Sequence, residues 1–148
     1  MLTRNDFFSR KKKLTMHHQQ ETLIYRWYQQ VWNEGNEKAI DEMMNNDVVA
    51  HGISDGLPLK GKDEFRNFYS NFRNEFSDIN VIVEDVMVED DFECGRCYVN
   101  AVHRSSNKPV QFTGIAMVKL RDGKIAEGWN NFDFLKMNLQ LGMKLVQE

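Results

Sequence analysis

The sequence has few cysteines, the residues whose disulfides stabilise many small secreted proteins. It contains two cysteines in 148 residues. A chain of this length can bury roughly 68–70% of its unfolded surface, so it does not need disulfides or metals for stability. The two cysteines, Cys94 and Cys97, form a Cys-x-x-Cys pair at the start of a β-like run, whereas redox pairs open a helix. Strand residues three apart point to opposite faces. We therefore interpret both cysteines as structural.

Signals for membranes, export and nucleic acid are also missing. No apolar run approaches the roughly 18 residues needed to span a bilayer, and the N-terminus lacks the apolar core of a secretory signal. The net charge is −3, and the one basic cluster, Arg10 to Lys13, lies in a polar leader that we predict to be flexible over residues 1–16. We expect a cytoplasmic protein that binds neither membranes nor nucleic acid.

Aromatic residues are plentiful, with ten Phe, four Tyr and three Trp. Helical spacing predicts a first helix over residues 17–34, a short second helix after Gly35, and a third helix from Lys62 to Phe76. The buried face of the first helix would carry Ile24, Trp27, Tyr28, Val31 and Trp32. The face of the third would be almost wholly aromatic, with Phe65, Phe68, Tyr69, Phe72 and Phe76.

The pattern changes to β after Asp78. A short strand, Val48 to His51, precedes the third helix, and four long segments follow it: Ile79 to Val88, Phe92 to Arg104, Gln111 to Arg121 and Lys124 to Phe132. Asp122-Gly123 is a two-residue hairpin signal, and a last short helix is predicted near Phe134 to Leu141. Helices followed by a meander predict one α+β domain over residues 17–148, with three helices on one face of a curved antiparallel sheet.

Asp133 is the first candidate for chemistry. It stands between Phe132 and Phe134, where burial would raise the pKa of its carboxyl and suit it to acid/base work. It can equally cap the helix that follows. If the last strand is regular, Asp133 shares a face with four other residues: Ile125, Glu127, Trp129 and Asn131.

Two histidines in predicted strands, His51 and His103, are the other candidates. Each is a candidate functional residue, with a hydrogen-bonded structural or surface residue as the alternative. Their spacing matches no metal motif, and we expect neither a metal nor any other cofactor.

Several short stretches together resemble the SnoaL-like polyketide cyclases of the nuclear transport factor 2-like superfamily. The run from Asp122 to Trp129 matches a D-G-K-I-x-E-x-W stretch, and Asp133 and then Gln140-Leu141-Gly142 follow at the family's spacing. Upstream, the run from Trp32 to Asn36 matches W-N-x-G-[ND], and Asp47 to His51 matches D-x-x-x-H. The resemblance covers about residues 20 to 143.

The resemblance implies a cone of three helices packed into a curved sheet, and a homodimer. It also implies that Asp133 moves a proton during a cofactor-free aldol closure of a polyketide ester. His51 and His103 would point into the pocket and bind the substrate's oxygens. The chain differs from the cyclases after His103, where a plain polar turn, residues 104–109, stands in place of a longer loop.

Three functional classes follow. In the first, the protein is a cofactor-free cyclase or isomerase of a small apolar or aromatic carbonyl compound, with Asp133, His51 and His103 as catalytic residues. The predicted ligand contacts are Trp129, Phe68, Phe72, Trp32, Thr113 and Met117. In the alternative, it is a non-catalytic ligand-binding or dimerisation domain. Hydrolysis of small epoxides, which also occurs on this fold, is a third class.

Overall fold

The computed structural model describes residues 16–148, with side chains from residue 18 onward, so nearly all of the predicted leader lies outside the described residues. The helices in this part are α1 (Met16–Glu21), α2 (Leu23–Trp27), α3 (Lys38–Met43), α4 (Gly61–Glu75) and α5 (Phe134–Gln140). The strands are β1 (Met44–His51), β2 (Leu59–Lys60), β3 (Phe76–Glu89), β4 (Phe92–His103), β5 (Lys108–Arg121) and β6 (Lys124–Phe132). None of the described helices is long and apolar enough to cross a membrane.

The predicted first helix is interrupted at Thr22. This residue has an extended backbone, with φ −69° and ψ 151°, and its hydroxyl accepts a hydrogen bond from the Tyr25 backbone N–H at 3.3 Å. Threonine side chains compete with the helical hydrogen-bond ladder in this way, so Thr22 ends α1 and caps α2. After α2 the backbone continues as a π-helical turn, Tyr28–Asn33, which periodicity did not predict.

The six strands form one sheet in the order β2-β1-β6-β5-β4-β3. Every neighbouring pair is antiparallel except β1 and β6, which run parallel. Asp122 and Gly123 turn β5 into β6 with φ values of 54° and 74°, as expected for a tight hairpin. The predicted α+β class with helices over a curved sheet is confirmed, with the parallel pair as an addition.

Alternation along each long strand defines two faces of the sheet. On β4, Gly95, Cys97, Val99 and Ala101 are buried against the helices, and this side is called the inner face. The other side, called the outer face, carries Arg96 and its alternating neighbours. Cys97 therefore lies inside, where burial raises the pKa of its thiol to about 12. Cys94 lies three residues away on the outer face, as expected for strand residues three apart, and both cysteines are free.

Asn33 fixes the helical layer to the edge of the sheet. Its amide Nδ2 donates to the Val81 carbonyl at 2.9 Å, and the Val81 N–H donates to Asn33 Oδ1 at 2.6 Å. Because β3 is an edge strand, these two backbone groups have no neighbouring strand to pair with. One side-chain amide therefore satisfies a donor and an acceptor at once.

Gly35 completes the end of the π-helical turn. It has φ +69°, and a Cβ atom there would lie 2.8 Å from Nη2 of Arg73. The guanidinium uses this space to donate from Nη1 to the Trp32 carbonyl at 2.8 Å. A cation at a helix C-terminus also complements the helix dipole. The Trp-Asn-x-Gly stretch thus has a structural explanation.

We predict that Asn33→Ala lowers the free energy of unfolding by about 1–3 kcal/mol, because it leaves a partly buried N–H and C=O of Val81 unpaired. Asn46→Ala is the matched control. Asn46 is exposed, so its loss should change the free energy by less than about 0.5 kcal/mol. Urea unfolding of both variants measures the difference, and equal midpoints would contradict the role given to Asn33.

Candidate functional site

The helices and the inner face of the sheet enclose an apolar cavity of about 70 Å³. Its helical wall consists of Trp27, Tyr28, Trp32, Phe65, Phe68 and Phe72. Strands β3 to β6 form the opposite wall, and Ile53, in the loop after β1, closes one side. Three of the predicted ligand-contact residues, Trp32, Phe68 and Phe72, lie in this lining.

Trp32 organises the helical wall. Its ring meets Tyr69 at 5.0 Å and Phe72 at 5.6 Å between centroids, both edge to face. Such pairs contribute about 0.5–1.5 kcal/mol each beyond their buried area. They arise because Phe68, Tyr69 and Phe72 follow one another at helical spacing on α4. Trp32, Phe68 and Phe72 are only partly buried, so these three rings also border the solvent.

Gly114 lets the ring of Phe132 lie directly on the sheet. A Cβ atom at Gly114 would come within 2.3 Å of Cδ1 of Phe132, its cross-strand neighbour. Any larger residue would therefore displace Phe132, which lines the cavity. The sequence signal for this contact is a single glycine inside a strand pattern, which often marks close packing, and sequence reasoning missed it.

Tyr28 and Asn130 bring polar side chains to the cavity. Asn130 Nδ2 donates to the His51 carbonyl at 2.9 Å, which orients its Oδ1 as an acceptor. Tyr28 is 6% exposed, and burial, aided by the nearby Cys97 and Cys94, raises the pKa of its hydroxyl well above the ordinary value. Within the described part of the chain, no Asp, Glu, His, Lys or Arg side chain lines the cavity.

Asp133 lies beside the cavity with its side chain outside it. Its Oδ1 accepts a hydrogen bond from the Lys136 backbone N–H at 2.9 Å, so it caps α5. Asp133 is exposed and borders a groove on the outer face, together with Asn131 and Leu135. Its neighbours Phe132 and Phe134 line the cavity and also border the groove. The capping geometry is therefore present, and the acid/base role stays a prediction.

His51 lies on the outer face. Its Nε2 is 3.3 Å from Oε2 of Glu127, and its ring stacks on Trp129 at 5.6 Å with an interplanar angle of 8°. Trp129 is paired with Met117 in the sheet register, and Thr113 lies on the same face. Trp129, Met117 and Thr113 were predicted to contact the ligand, but none of them lines the cavity.

A register shift explains part of this difference. Ile125 was expected to share a face with Glu127 and Trp129 if β6 is regular, but the strand has an irregularity opposite Lys119 and Leu120. Ile125 is therefore 3% exposed on the inner side, while Glu127 and Trp129 lie outside. A bulge of this kind reverses the alternation of side chains.

His103 lies at the end of β4, away from both other candidates. Its Nδ1 is 2.7 Å from Oγ of Ser106, and its Nε2 is 3.6 Å from Oε1 of Glu75. Its ring contacts Phe76 at 5.5 Å. His51, His103 and Asp133 thus have three different sets of partners, and the structure does not bring them together in the cavity.

Comparison with known proteins identifies a family with this arrangement of helices over a curved sheet. The family model of the SnoaL-like polyketide cyclases matches residues 22–141. The chain belongs to this family. Both the predicted family and the predicted nuclear transport factor 2-like cone are thereby confirmed. The comparison with curated proteins gave no match.

Solved structures agree with this assignment. IdmH, a candidate polyketide cyclase from Streptomyces antibioticus, is 25% identical with a TM-score of 0.73, over 85% of this chain and 100% of that chain. A candidate polyketide cyclase from Bacillus cereus ATCC 10987 is 28% identical with a TM-score of 0.73, over 83% and 80% of the two chains. A protein with a ketosteroid isomerase-like fold from Catenulispora acidiphila DSM 44928 is 13% identical with a TM-score of 0.71, over 82% and 93% of the two chains, and shows the fold alone.

We predict that Gly114→Ala lowers the free energy of unfolding by about 1–3 kcal/mol, since its Cβ would overlap the ring of Phe132. Phe132→Leu in the same chain should relieve the overlap. Thermal unfolding of the two single variants and the double variant tests this, with an expected coupling of roughly 0.5–3 kcal/mol. Strict additivity would show that the two side chains do not compete for space.

Proposed function

We propose that this SnoaL-like family member binds a small, flat, uncharged molecule in the cavity between the helices and the sheet. The observation that carries the proposal is the lining, which is aromatic and aliphatic and has no charged side chain among the described residues. Moving an ion from water into such surroundings costs several kcal/mol unless a counter-charge meets it. A neutral aromatic ligand instead extends the edge-to-face contacts already present.

The size of the cavity narrows the ligand further. Its volume of about 70 Å³ is well below the roughly 300–1,000 Å³ of pockets for drug-sized ligands, and below the ~150 Å³ cavity known to hold benzene. One aromatic ring therefore enters the cavity completely only if the partly buried side chains of Trp32, Phe68 and Phe72 move apart. A polyketide-sized ligand needs a larger displacement of the same three rings.

We expect Val99→Phe to block this site. Val99 lies on the inner face of β4 and lines the cavity, so a phenyl group there occupies the ligand's space at a cost of about 1–3 kcal/mol in stability. Binding of acetophenone, followed by NMR shift titration, should weaken at least about tenfold, or 1.4 kcal/mol.

Val102→Phe is the matched control, because Val102 lies on the same strand with its side chain on the outer face. It should leave acetophenone binding unchanged. Equal binding to both variants and to the unaltered protein would show that the cavity is not the binding site.

Acid/base catalysis by Asp133 is the second candidate function, and one observation favours it. Asp133 sits between Phe132 and Phe134, both of which line the cavity, so it lies next in sequence to two wall residues. The reaction would be that of a cofactor-free cyclase or isomerase acting on a polyketide-like carbonyl compound. For this, the Asp133 carboxylate would leave the Lys136 N–H and turn towards the cavity. A positioned acid/base group contributes roughly 10²–10⁴-fold to such a proton transfer.

Two substitutions of Asp133 separate catalysis from capping. Asparagine caps a helix about as well as aspartate, whereas alanine costs about 1 kcal/mol, so Asp133→Asn should unfold near the temperature of the unaltered protein and Asp133→Ala below it. If the carboxylate is the acid/base group, both variants lose at least about 100-fold in exchange of the acetophenone methyl protons for deuterium. Unchanged exchange in Asp133→Asn would rule out the second candidate function.

A further inference from the structure

The structure contains two buried tyrosines whose hydroxyl groups differ in their surroundings. Tyr69 donates a hydrogen bond to the Val31 carbonyl at 2.8 Å. Tyr28 is 6% exposed as a residue, and its hydroxyl makes no hydrogen bond with any group in the described part of the chain, although its oxygen is not fully enclosed and keeps some accessible surface. Most buried polar groups in proteins are paired. Since Tyr28 lines the cavity, its hydroxyl is available to whatever occupies that space.

We propose that Tyr28 is the hydrogen-bond donor that recognises the ligand in the cavity, and that the ligand is a neutral planar ketone. This assignment rests on the proposed function of the cavity. It adds the residue that distinguishes an oxygen-bearing ligand from a hydrocarbon of the same shape.

The ring of Tyr28 is held by its neighbours. It packs against Phe132 at 6.3 Å with a tilt of 59°, and Phe132 in turn lies on the sheet at Gly114. Tyr28 also begins the π-helical turn, in which the Glu34 N–H donates to the Gln29 carbonyl at 2.9 Å. Turns of this type are rare in proteins, and those that occur are often found at functional sites.

The charge state of the site agrees with donation to a neutral acceptor. Burial raises the pKa of the Tyr28 hydroxyl well above its ordinary value, so the group stays protonated at neutral pH and donates. An anionic ligand would find no cationic side chain among the described lining residues. Asn130 Oδ1 adds one acceptor, which a hydroxyl or enol group on the same ligand can use.

Three probes of nearly the same shape test the assignment: acetophenone, α-methylstyrene and benzoate. The first two differ in one oxygen against one CH₂, and benzoate carries a negative charge. In the unaltered protein, NMR shift titration should find acetophenone bound about 3- to 10-fold tighter than α-methylstyrene. This ratio corresponds to the net free energy of one hydrogen bond. Benzoate should bind at least about tenfold more weakly than acetophenone.

Tyr28→Phe should abolish the preference for acetophenone while leaving α-methylstyrene binding unchanged. The variant should fold, because it removes an unpaired hydroxyl rather than a bonded one. Tyr69→Phe is the control. It loses the bond to Val31 and some stability, but should keep the preference.

The outcomes distinguish a failure of the Tyr28 assignment from a failure of the proposed binding function of the cavity. If both neutral probes bind and Tyr28→Phe retains the preference for acetophenone, the cavity binds ligands but Tyr28 is not the donor. If benzoate binds as tightly as acetophenone, the neutral ligand class is wrong. If none of the three probes binds, the proposed function falls, and this assignment falls with it.

Discussion

The pairing of Asn33 with the backbone of Val81 determines where the helical layer sits over the sheet. Asn33 ends the π-helical turn, so its two hydrogen bonds also set the position of the adjacent Trp32, whose ring contacts three aromatic side chains of α4. A second anchor lies at the other end of the same helical run. There the Ile24 N–H donates to the buried carboxylate of Glu93 on β4 at 2.7 Å. Between these two anchors the helices have little freedom to slide.

The cavity depends on these anchors, one of which is Asn33 of the Trp-Asn-x-Gly stretch, and not on the C-terminal family motif. In the C-terminal motif, Asp122 and Gly123 form the hairpin turn, Glu127 contacts His51, and Trp129 stacks on the same histidine. Those side chains serve the turn and the outer face of the sheet. Asp133 belongs to the same motif and caps α5. The cavity is lined instead by Trp32 of the upstream Trp-Asn-x-Gly stretch and by residues outside the motifs, chiefly the aromatic residues of α2, α4 and the π-helical turn.

Periodicity predicted the helices, the long strands and the aromatic wall of α4, because each depends on side chains close together in sequence. It could not predict the break at Thr22, where a side-chain hydroxyl competes with the hydrogen bonds of the helix. Nor could it predict the parallel pairing of β1 with β6, because these two strands are far apart in sequence.

The faces of β6 were the hardest to predict. Trp129 is more apolar than Asn130, so hydrophobicity favours Trp129 for the interior. The structure reverses them, because the Asn130 amide is satisfied by the His51 carbonyl and Trp129 gains a ring partner outside. Fold and family were therefore accessible from sequence, while the composition of the cavity required the register of each strand.

The position of β3 at the end of the sheet has a consequence for behaviour at high concentration. An edge strand of 14 residues offers a row of backbone groups that a strand from another molecule could extend. Asn33 already occupies two of these groups at Val81, and Glu84 and Asp85 place negative charge further along, where both are paired with Arg96. Resistance to edge-to-edge aggregation thus depends on the same asparagine that orients the helices.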